Sequence, residues 1–148
     1  MTSVTLVRRI RARPEIVFDA ITTAEGIVHW WGPDAGPVLV AEMDVRVGGR
    51  YRVRFRLLDG SEHESSGTFL ELVRPEVAVF SWRWTGGMED PGESRLEMRL
   101  RPINEGTELT LTHSQLHDDE TSRSHEQGWA GALEKLATYF LSDRQNAG

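Results

Sequence analysis

With 148 residues and a formal charge of -6, this chain fits one domain whose core needs no metal or disulfide staple, and its acidic balance opposes non-specific nucleic-acid binding. It contains no cysteine, which excludes a disulfide framework, a thiolate nucleophile and thiolate metal sites, and fits a reducing cytoplasm. The start, Met1-Thr2-Ser3-Val4, lacks a charged region followed by an apolar one, and no apolar run is long enough to span a bilayer. A soluble, cytoplasmic protein without membrane insertion is therefore expected.

Ser3 to Arg11 alternates as a strand, and Ala12-Arg13-Pro14-Glu15 then places Pro14 at the first position of a helix with Val17, Phe18, Ala20 and Ile21 on its apolar face. Thr23 can cap a second short helix reaching Trp31, where Gly32-Pro33 stops it. From Val38 the period becomes two. Tyr51, Val53, Phe55 and Leu57 alternate with Arg50, Arg52, Arg54 and Arg56, which describes a strand with one buried face and a solvent-facing arginine comb.

Further strands follow at about Glu62 to Val73, Val77 to Thr85, Glu93 to Arg101 and Thr107 to Ser114. Their separators, Asp59-Gly60, Arg74-Pro75, Gly86-Gly87 and Asn104-Glu105-Gly106, are short enough for one antiparallel meander. Phe80, Trp82 and Trp84 share a face, as do Leu96, Met98 and Leu100, and Leu109, Leu111 and His113. After an acidic loop a helix runs to about Leu141, with Trp129, Leu133, Leu136 and Phe140 as its packing stripe and Asp118, Asp119 and Glu120 at its positive end. A single domain over residues 1–148 is expected, ordered from about 3 to 141, with a frayed tail over 142–148.

The order of a strand, two short helices, a long meander and one long helix resembles the helix-grip fold, an α+β architecture in which six or seven curved antiparallel strands wrap around the last helix. Local motifs tighten the likeness: Ala12-x-Pro14-Glu15-x-Val17-Phe18, Trp30-Trp31-Gly32-Pro33, Asp44-x-Arg46-x-Gly48-Gly49, Phe80-x-Trp82 and His125-x-x-Gly128-Trp129-x-x-x-Leu133. Together they resemble the bacterial branch of the family named for the activator of Hsp90 ATPase, within the START-like, or SRPBCC, superfamily. The resemblance implies a cavity between sheet and long helix that takes a hydrophobic or amphipathic small molecule. It does not imply one activity.

The residues expected to line that cavity are Trp30, Trp31, Arg46, Tyr51, Val53, Phe80, Trp82, Trp84, Met98, Leu111, His113, His125, Trp129 and Leu133. Neighbours on a helix diverge by about 100 degrees, so Trp30 and Trp31 should not both face the same core, and one should face the cavity or its mouth. A two-residue turn at Gly48-Gly49 would turn Asp44 and Arg46 inward beside Tyr51 and Val53, giving a guanidinium for a ligand anion. A bulge at the glycines would leave the two as an exposed structural pair. His113 and His125 are either polar handles in the cavity or hydrogen-bonded structural groups. Gly128, inside the helix, suits close packing on the sheet.

No metal site is expected, because His113 and His117 fall on a strand end and a loop, and no cofactor motif is present. Binding of an apolar or aromatic small molecule, as a carrier, sequestering or stress-related protein, is the leading reading. The alternative is a cyclase, dehydratase or hydrolase using His113, His125, Arg46 or Glu71 as acid-base groups, which requires at least two of them to converge in one pocket. A chaperone-associated interaction module is a third reading, and a homodimer through an edge strand is compatible with the pattern.

Overall fold

Period-two alternation sets the sheet, and the computed structural model describes residues 2–86, 92–116 and 118–147. The elements are β1 (Thr2–Ile10), α1 (Pro14–Thr22), α2 (Ala24–Ile27), β2 (Val38–Met43), β3 (Arg50–Arg56), β4 (Glu62–Val73), β5 (Val77–Gly86), β6 (Ser94–Ile103), β7 (Gly106–Leu116) and α3 (Asp119–Ala147). Seven antiparallel strands form one curved sheet in the order β1-β7-β6-β5-β4-β3-β2, with β1 and β2 as its edges. The expected helix-grip fold is the observed one. His117 and Gly87 lie outside the described residues, so the spacing of His113 to His117 and part of the Gly86-Gly87 turn do too.

The outer face is ionic. Arg52 bonds to Glu42 and to Glu64, while Arg54 and Arg56 share Glu62, so the arginine comb is matched by acids on both neighbouring strands. Such exposed pairs contribute little to stability individually, but they fix which face of each strand meets water. The inner face holds Tyr51, Val53, Phe80, Leu96, Met98, Leu109 and Leu111, all buried, and α3 lays Trp129, Leu133, Leu136 and Phe140 against that core. The Asp118 carboxylate caps α3 by accepting from the Thr121 amide at 2.8 Å. Its helical backbone continues past Leu141 to Ala147. None of the described helices is long and apolar enough to cross a membrane.

Two departures from strict alternation move candidate residues out of the interior. Met43, not Arg46, pairs with Tyr51, because residues 44–49 form a longer connection in which the Asp44 amide donates to the Arg50 carbonyl. Asp44 and Arg46 therefore stay in solvent, joined by a 2.9 Å bond, with the Arg46 side chain 76% exposed. In β4 a register shift between Phe69 and Glu71 turns Glu71 outward although Phe69 points in.

Trp30 and Trp31 pack together in one core rather than diverging, and of the two only Trp31 borders open space. The helix ends at Ile27, and the chain continues in turns whose amides, Trp30 N and Trp31 N, both donate to the Ile27 carbonyl. Outside a regular helix the 100-degree divergence does not apply, and both indoles pack beside Trp129, at 6.4 and 5.4 Å between ring centroids. Gly32, at φ +99°, then releases the chain through the left-handed region.

Candidate functional site

Much of the space between sheet and long helix is filled by the protein's own indoles. Trp31 stacks on Trp82 at 5.4 Å with planes 25° apart, and Trp129 meets both edge-on. Trp30 lies behind them, its Nε1 donating to the Ala20 carbonyl at 2.9 Å. What remains open is a cleft of about 480 Å³ at one end, between the β3–β4 hairpin, the end of β5, the first half of α3 and the Trp31-Gly32-Pro33 loop. Its walls carry Trp31, Phe55, His63, Trp82, Trp84, His125 and Trp129, with Pro33, Leu57 and Ala132 as aliphatic patches and Ser124 and Gln127 among the polar lining.

The loop that forms one rim is fastened directly to α3. A side chain at Gly131 would put Cβ 2.2 Å from the Pro33 carbonyl oxygen, whereas one at Gly128 would meet Pro33 Cβ at an ordinary 3.6 Å. The close packing expected at Gly128 thus belongs to Gly131, and its partner is the loop rather than the sheet. Lys135, the single lysine in the chain, donates to the carbonyls of Trp31 and Asp34 at 3.2 and 2.6 Å. Burial lowers its ammonium pKa, and the charge of Asp34 partly opposes that shift.

The two histidines do converge, with ring centroids 4.8 Å apart, yet all four of their nitrogens are engaged. Trp129 Nε1 donates to His113 Nδ1 at 3.0 Å, so His113 carries its proton on Nε2 and gives it to Ser94 Oγ at 2.7 Å. Trp84 Nε1 donates to His125 Nε2 at 3.2 Å, and His125 Nδ1 gives its proton to the Thr121 carbonyl at 2.8 Å. Both rings are therefore neutral. Burial, reinforced by His125, pushes the His113 pKa down to about 3, and burial lowers that of His125 against the opposing Thr121 bond. A base in this state has no free lone pair to offer a ligand.

Of the residues named from sequence, Trp31, Trp82, Trp84, His125 and Trp129 line the cleft. Trp30, Tyr51, Val53, Phe80, Met98, Leu111, His113 and Leu133 are core behind it, each 3% exposed or less. Tyr51, for example, spends its hydroxyl on the Ser81 carbonyl at 2.7 Å. Arg46 and Glu71 lie in solvent, away from the cleft, so neither supplies an anion site or an acid-base group there.

His63, Phe55 and Leu57 line the cleft but were not singled out. The arginine comb held the signal: Arg54 and Arg56 pair with Glu64 and Glu62, which forces His63 to the inner face opposite Phe55. A larger depression of about 990 Å³ lies along β2 to β5, but its lining is largely polar, and Arg52 is already matched there by Glu42 and Glu64. Among the described residues no cluster of three or more His, Asp or Glu is placed to hold a metal.

Residues 11–141 match the family described as activator of Hsp90 ATPase homolog 1-like protein. The chain belongs to that family. It is similar to a protein from Chromobacterium violaceum at 28% identity, covering 93% of this chain and 96% of the other, with a TM-score of 0.83. It is also similar to an AHSA1 protein from Silicibacter pomeroyi at 27% identity, covering 96% and 99%, with a TM-score of 0.86. An AHSA1-like protein from Aeromonas hydrophila, at 18% identity and a TM-score of 0.76 over 96% and 94% of the two chains, shares the fold. No curated protein matches significantly.

Proposed function

We propose that this family member binds an apolar aromatic small molecule in the cleft beside Trp31 and Trp84, as a carrier or sequestering protein. The observation that carries the reading is the wall itself: five indole or phenyl rings and no Asp, Glu, Lys or Arg among the lining residues. Ring walls favour a planar ring by offset or edge contact, each worth about 1 kcal/mol beyond area burial. A fatty chain would find few aliphatic contacts there. The volume suits a molecule of two or three fused rings.

The chemistry of His113 and His125 supports binding over catalysis, because their hydrogen bonds leave no proton acceptor free. The test is a thermal-shift and equilibrium-dialysis series with naphthalene derivatives set against decanoate. Aromatic probes are expected to raise the melting temperature, decanoate to do so weakly, and Trp31→Leu to weaken aromatic binding by about tenfold, as loss of stacked area predicts. No shift with any naphthalene at its solubility limit would refute the reading.

A further inference from the structure

Three buried side-chain polar atoms among the described residues have no protein partner: His63 Nδ1, Ser65 Oγ and Trp82 Nε1. All three surround one indole. Ser65 faces Trp84 across the β4–β5 ladder, the His63 ring lies 6.3 Å from the Trp84 ring, and the Trp82 ring lies 5.4 Å from it. Unpartnered buried groups are rare because each forfeits its hydration. Three around a single side chain point to that side chain as what separates them from a partner.

Trp84 is suited to move. It is only partly buried, and its indole nitrogen makes one hydrogen bond, to His125. It also sits at a register shift in β5: Ser65 pairs with Trp84 while Glu64 pairs with Gly86, which leaves Thr85 as the extra residue. His125 lines the open cleft, so when Trp84 swings away its freed Nε2 meets solvent.

Resting on the proposed binding role, we infer that Trp84 is a swinging cover over a deeper subsite, and that the ligand entering it is an uncharged aromatic molecule bearing a hydroxyl group. The polar set defines the class. Ser61 Oγ gives its proton to Asp59 at 2.6 Å and so accepts from His63 Nε2 at 3.1 Å, which leaves His63 Nδ1 as an acceptor. Trp82 Nε1 is a donor and Ser65 Oγ is both. A hydroxyl is the group that can both donate to the His63 acceptor and accept from Trp82 or Ser65. A carboxylate would meet the His63 lone pair with its own and would find no cation among the lining residues.

The test compares 2-naphthol with 2-methylnaphthalene, nearly equal in shape, by equilibrium dialysis on the full chain. The native protein is expected to prefer 2-naphthol by about tenfold, as one or two net hydrogen bonds predict. Ser65→Ala and His63→Phe should reduce that preference to about threefold or less while keeping affinity for the hydrocarbon. In protein labelled with 5-fluorotryptophan, the Trp84 fluorine resonance, assigned by its loss in Trp84→Phe, should move with both probes, since both contact the cleft wall, but should reach with 2-naphthol a distinct position that 2-methylnaphthalene does not produce.

Equal binding of the two probes, a preference unchanged in both variants, or the same Trp84 fluorine shift with both probes overturns the subsite while leaving the cleft as a binding site. Failure of both probes to bind overturns the cleft reading and the subsite together. If either variant fails to fold, the probe pair and the fluorine spectrum of the native sequence still decide.

Discussion

Acidification should destabilise this protein through His113, and the size of the effect follows from its burial. In the unfolded chain the imidazole takes up a proton near its ordinary value of 6.5, whereas in the folded protein it stays neutral down to about pH 3. Between those values the unfolded state binds more protons, so stability falls as pH falls, by about 1.4 kcal/mol per pH unit once below 6.5. From pH 7.5 to 5.0 the loss from this group is about 2 kcal/mol, and His125, also lowered, adds to it in the same sense. The perturbation that isolates His113 is His113→Gln, whose carboxamide can accept from Trp129 and donate to Ser94 but cannot be protonated. Urea unfolding of both proteins at several pH values measures the difference, and carboxylate titrations common to the two cancel. The native protein should lose about 2 kcal/mol more than the variant over this range. A difference constant to within about 0.5 kcal/mol from pH 7.5 to 5.0 would mean that the buried imidazole is not held neutral, and would refute the reasoning.

Three further outcomes are expected. Gly131→Ala drives a methyl group into the Pro33 carbonyl and should cost about 2 kcal/mol in urea unfolding, while Gly128→Ala meets only an ordinary contact and should stabilise by up to about 1 kcal/mol through helix propensity. Lys135→Met removes the ammonium that joins α3 to the Trp31 and Asp34 carbonyls, and a loss of about 1–2 kcal/mol with weaker 2-methylnaphthalene binding is expected, measured by denaturation and dialysis. Arg46→Ala breaks an exposed pair and should change stability by less than about 0.5 kcal/mol, with no change in dialysis against aromatic probes.

The fold was legible because period-two and helical patterns are written over long stretches: the Arg50 to Leu57 alternation, the β4 span and the Trp129 to Phe140 stripe each repeat a rule several times. The site was less legible because single irregularities decide it. One longer connection after Met43 sends Arg46 into water, and one register shift after Phe69 does the same to Glu71. The glycine pair marks the first as one of two alternatives, but nothing in β4 marks the second, since inserting one residue reverses every face beyond it. The tryptophan pair shows the same limit: a helix that stops at Ile27 rather than Trp31 turns two diverging indoles into two packed ones.

His63 and Ser65 were hidden for a different reason. Along β4 the inner face reads His63, Ser65, Gly67, as polar as the outer face of Glu62, Glu64 and Ser66, so no alternation marks which side is buried. The neighbouring strand resolves it: Phe55, Val53 and Tyr51 face the core, and the ladder places His63, Ser65 and Gly67 directly opposite them. A strand that turns polar where its partner stays apolar gives up packing and desolvates polar groups there, which is a cost that core formation does not explain. In this chain that stretch begins at the cleft with His63 and carries two of the three unpartnered atoms beside Trp84, His63 Nδ1 and Ser65 Oγ. The mismatch between β3 and β4 is therefore the sequence feature that lies nearest the binding site, more specific than the aromatic residues that surround it.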